Sequence, residues 1–89
     1  MNQKSMTPDE RFLLQLYQTA LSNGDPLQEM DSRVIAKAVG LKETALKNIV
    51  KHLAQANFIK KSDSFMLYLT PHGCQFIREH LNGDSLKKK

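Results

Sequence analysis

The sequence predicts a mainly α, α+β domain: a three-helix core, a two-stranded hairpin and a C-terminal helix. Three observations predict it. Apolar residues between Thr7 and Ala56 recur at helical spacing in three blocks, each opened by a capping or turn residue and closed by Gly or Asn. From Phe58 to Leu69 the pattern shifts to strand-like alternation around a polar turn. Thr70-Pro71 then opens a final helix. The chain has 89 residues, enough for one domain over 1–89, with about 6–82 expected to be ordered and 83–89 expected to form a basic tail.

The first helix runs from about Thr7 to Ser22. Thr7 is suited to the N-cap, Pro8 to the first helical position, and Glu10 completes a capping box. Leu13, Leu16, Tyr17, Ala20 and Leu21 form the expected buried stripe. Phe12 and Leu14 widen it, either as extra core or as a partner surface. Asn23-Gly24 ends the helix and Asp25-Pro26 turns the chain. Leu27 to Met30 is a short connector, with room for one residue pair of a minor edge strand.

Asp31 caps the second helix, which ends near Val39, with Met30 and Ile35 placed as a hydrophobic staple. Ile35, Ala36 and Val39 face the core, and Arg33 and Lys37 face outward. Gly40 makes a tight turn through positive φ, plugged by Leu41. The third helix runs from about Lys42 to Ala56 and buries Leu46, Ile49, Val50 and Leu53. Asn57 stops it, because asparagine tolerates the left-handed conformation better than most residues. Phe58–Lys61 and Phe65–Leu69 form the hairpin around Ser62-Asp63-Ser64. Phe65, Leu67 and Leu69 are expected on its buried face. In the last helix Gly73 allows close packing, Cys74, Ile77 and Leu81 form the inner stripe, and Asn82-Gly83 ends it.

Composition narrows the function. The formal net charge is +4, three of those charges being Lys87, Lys88 and Lys89. From Met6 to Asp31, one base, Arg11, stands against Asp9, Glu10, Asp25, Glu29 and Asp31, a net of −4. From Ser32 to Lys61, seven bases stand against Glu43 alone, a net of +6. A localised basic face is the footprint of a nucleic-acid binder; a solvated lysine-rich surface is the plainer alternative. No apolar run approaches the roughly 20 residues of a membrane span. No signal-peptide core is visible, and one cysteine, Cys74, makes no internal disulfide, so a cytoplasmic location is expected. His52, His72 and His80 show no metal-ligand spacing among them. No phosphate loop, nucleophile motif or convincing carboxylate pair is present, so no enzymatic activity and no cofactor are expected.

The chain resembles a winged helix-turn-helix domain, closest to the MarR-like and PadR-like bacterial transcription regulators. Three stretches carry the resemblance. Ile35-Ala36 with Val39-Gly40-Leu41 matches the second helix and turn. LKETALKNIVKHLAQANFIKK matches a recognition helix running into a wing. LTPHG, Leu69 to Gly73, matches the pattern that leaves the wing. The resemblance covers roughly Asp31 to Leu81. The chain departs from it in four ways: Asn57 stands where glycine is usual, the wing turn is short and carries an acid, the third helix has no arginine on its outward face, and long flanking dimerisation helices are missing.

The resemblance implies a small transcription regulator that places the third helix, 42–56, in the major groove of double-stranded DNA. Lys42, Lys47, Lys51, Lys60 and Lys61 would neutralise phosphates. Thr44 and Asn48 would reach base edges, with Asn48 able to read adenine through two hydrogen bonds; its plainer reading is a solvated helix residue. Arg33 would clamp a phosphate, or else pair with Asp31 or Glu29. A homodimer would use Phe12, Leu14 or Phe76. The rival reading is a winged-helix module that binds protein without sequence-specific DNA contact.

Overall fold

A computed structural model describes residues 6–81. In chain order the elements are α1 (Pro8–Ser22), β1 (Met30–Asp31), α2 (Ser32–Val39), α3 (Glu43–Gln55), β2 (Ile59–Lys61), β3 (Met66–Leu69) and α4 (Pro71–His80). The fold is α+β: four helices and one three-stranded antiparallel sheet of order β1-β3-β2. The expected tail, including Lys87–Lys89, and the Asn82-Gly83 stop lie outside the described residues.

Local sequence explains the helix ends. Thr7 and Glu10 form the reciprocal capping box of α1, each side chain bonded to the other residue's backbone N–H. The Asp31 carboxylate accepts the Arg33 N–H at 2.9 Å and caps α2. Gly40 ends that helix at φ +75°, and Asn57 follows α3 at φ +66°. The core gathers Phe12, Leu13, Leu16 and Tyr17 of α1, Ile35 of α2, the four apolar residues of α3, Ile59, Leu67, Leu69 and Ile77. α1 packs against α2, α3 and α4 and is the central post of the helical layer.

Thr70 joins three segments. Its hydroxyl donates to the Asn57 carbonyl at 2.6 Å and accepts the Gly73 N–H at 2.9 Å. Its own N–H donates to the Phe58 carbonyl at 3.0 Å. The end of α3, the hairpin and the start of α4 are thereby tied at one buried residue.

Three expectations are corrected. The hairpin is part of a larger sheet: the minor edge strand allowed for at the connector is present as Met30 and Asp31, which pair with Leu67 and Met66 and make β3 the central strand. Phe65 is half exposed instead of buried. The Ser62 and Asp63 N–H groups both donate to the Met66 carbonyl, which leaves Phe65 in the turn before β3; it lines the same groove as Leu67 but stays half exposed there. Leu21 is also half exposed, whereas Phe12 is fully buried. The buried arc of α1 is centred on Leu16, and Leu21 lies past its edge. Phe12 is therefore core and is removed from any dimer surface. Leu14 and Phe76 are partly buried, and Phe76 stacks on Phe58 with ring centroids 4.6 Å apart.

Candidate nucleic-acid interface

The basic segment folds into one concave surface. α2 and α3 form two walls, and the hairpin forms the third. Together they enclose an open groove of about 840 Å³. Its floor is apolar, made by Ala36, Leu41, Leu46, Val50, Ala54, Phe65 and Leu67. Its rim carries Arg33, Lys37, Lys47, Lys51 and Lys61, and among the described residues the only carboxylate lining it is Glu43.

The helical repeat sorts the residues of α3. Leu46, Ile49, Val50 and Leu53 point into the core. Glu43, Lys47, Lys51 and Ala54 lie on the flank that faces the hairpin. Thr44 and Asn48 point directly outward, are exposed and stand outside the groove. Lys42 occupies the N-cap of α3, where its side chain has no acceptor to offer and makes no capping bond.

The hairpin divides its two lysines. Lys61 pairs with Leu67 and lines the groove, while Lys60 pairs with Tyr68 one position away and projects from the opposite face of the sheet. Lys47, Lys51 and Lys61 thus line one groove, Lys42, Thr44 and Asn48 are exposed outside it, and Lys60 is set apart. Among the described residues, none of these lysines, nor Lys37, takes part in an ion pair or side-chain hydrogen bond.

Arg33 differs. Its guanidinium grips Asp31 with two contacts, Nε to Oδ1 at 3.1 Å and Nη2 to Oδ2 at 2.8 Å. It also lies over the Phe65 ring, 4.0 Å from the centroid. The guanidinium hydrogen bonds, reinforced by the Arg33 backbone N–H, hold the Asp31 carboxyl below its ordinary pKa. Of the two roles weighed for Arg33, its geometry is that of the ion pair with Asp31. The missed contributor is Phe65, whose place in the alternating pattern pointed to the core.

Cys74 is buried, and burial raises its thiol pKa. Among the described residues no group of three or more His, Cys, Asp or Glu side chains could hold a metal ion. Among the same residues no helix is long and apolar enough to cross a membrane. No family model, curated protein or solved structure matches the chain.

Proposed function

We propose that this domain is a small winged helix-turn-helix regulator that binds double-stranded DNA, with α3 as the recognition helix. One observation carries the reading: Lys47, Lys51 and Lys61 line one groove along α3, the helix that also presents Thr44 and Asn48 to solvent and has Lys42 exposed at its N-cap, and among the described residues no carboxylate is paired to any of these lysines. Lysines without a carboxylate partner on a groove rim suit phosphate contact, since each releases counterions on binding. Thr44 and Asn48, on the leading half of α3, are placed for base edges. The element order, the left-handed Asn57 and the close packing at Gly73 support the winged-helix reading.

Titration of a mixed-sequence duplex at low salt tests it. Wild type should bind with a log–log salt slope of about −3 to −4, roughly 0.9 per lysine–phosphate contact. Lys47→Glu and Lys51→Glu should each weaken binding and flatten the slope. Equal affinity for all three proteins would remove α3 from the interface.

A second reading, a protein-binding module, is favoured by a specific observation. The groove floor beside α3 is apolar, and DNA makes little use of such a surface.

A further inference from the structure

We propose that the groove between α2, α3 and the hairpin docks an acidic amphipathic helix of a partner protein. This inference goes beyond the DNA reading, because it uses the hairpin-facing flank of α3, whereas base contact uses the outward face of Thr44 and Asn48.

Size, floor and charge agree on the occupant. The groove follows α3 from Glu43 to Ala54, about 16 Å at the helical rise, or roughly three turns of a docked helix. Its floor offers Leu46, Val50 and Phe65 to apolar anchors spaced i, i+3 or i+4, and i+7. Ala54 is exposed and small, which leaves room at the end of the groove. Arg33 is already paired with Asp31, but Lys37, Lys47, Lys51 and Lys61 share the lining with Glu43 alone among the described carboxylates, so an incoming helix finds complementarity when its flanks are acidic.

Other occupants fit less well. Residues 82–89 carry three lysines and one aspartate, the same sign as the rim. A second copy would have to offer its acidic N-terminal half. There the apolar face of α1 is already spent on its own core, leaving Leu21 in the last turn of α1 and Leu27 in the connector exposed, which make no continuous apolar stripe.

The test uses the full 89-residue chain and a labelled peptide of about 14 residues. The peptide has Leu or Phe at i, i+3, i+4 and i+7 and Glu or Asp elsewhere. A scrambled peptide of the same composition is the control. Anisotropy should show binding by the ordered peptide that is at least about tenfold tighter than by the scramble and that weakens with salt. Ala54→Glu and Phe65→Ser, both at exposed positions, should abolish it while leaving the circular dichroism spectrum unchanged. Asn48→Ala should leave peptide binding intact. Equal binding of ordered and scrambled peptides overturns the proposal. So does retention of binding by Ala54→Glu. A concentration-dependent doubling of mass that Ala54→Glu reverses would give the groove to a second copy and overturn it as well.

Discussion

Gly73 presses its α-carbon against the backbone carbonyl of Phe58 so closely that a Cβ at position 73 would overlap the oxygen. The obstacle is backbone that also accepts the Thr70 N–H, so it cannot swing aside as a flexible side chain would. Gly73→Ala should therefore destabilise the domain by about 1–3 kcal/mol despite the better helix propensity of alanine. Urea unfolding measures this; a stabilised variant would show that α4 shifts freely.

Thr70 supports the same junction through its hydroxyl. Thr70→Val keeps the shape but removes the cap of α4 and leaves the Asn57 carbonyl without its donor. A loss of about 1–3 kcal/mol is expected, with Thr70→Ser recovering most of it. If the two variants unfold together, the hydroxyl is not what holds the junction.

Lys42 sets stability against binding. It stands at an N-cap position where it makes no cap. Lys42→Ser should stabilise the protein by about 0.5–1 kcal/mol while reducing the duplex salt slope by about 0.9. Higher stability with an unchanged slope would take Lys42 out of the DNA interface.

The Asp31–Arg33 pair predicts an acid response. The Asp31 pKa is held below its ordinary value of 3.8, chiefly by hydrogen bonds from the Arg33 side chain and then from its backbone. A depressed folded-state pKa means that the contribution is present above the unfolded value and is lost as pH falls through the folded one. Asp31→Asn retains a capping oxygen but no titration. Its stability should vary less with pH in the acid limb than that of wild type, as followed by chemical unfolding across that range. Parallel curves would show that the pair does not contribute.

Cys74 should label only when the domain opens. Its thiol is buried and held protonated by desolvation, so reaction with a thiol reagent at neutral pH should be slow in the native state and fast in denaturant. Rapid native labelling would contradict the packing of α4.

Residues whose role is local were the legible ones. Thr7, Asp31, Gly40 and Asn57 each act within a turn or two of their own position, and capping rules or φ preference identify them. What escaped the sequence depends on distant partners. Met30 and Asp31 become a strand only because β3 lies beside them, and two residues carry no period of their own. Phe65 lines the same groove as Leu67 yet stays half exposed, and alternation alone does not tell a groove wall from a core face. The groove joins residues from 32 to 67, so its apolar floor appears only when three segments meet. The lysine and Thr44–Asn48 positions were readable as a face of one helix, but the separation of Lys60 from Lys61 needed the pairing register.

The short sheet has a further consequence for solubility. With β3 in the centre, the free edges are β1, two residues long, and β2, three residues long. Two of the three residues of β2 are lysines, which discourage another chain from adding a strand there and seeding aggregates. Lys60→Val with Lys61→Val would convert Phe58–Lys61 into an uninterrupted apolar edge, so the same two charges guard the molecule from its own copies.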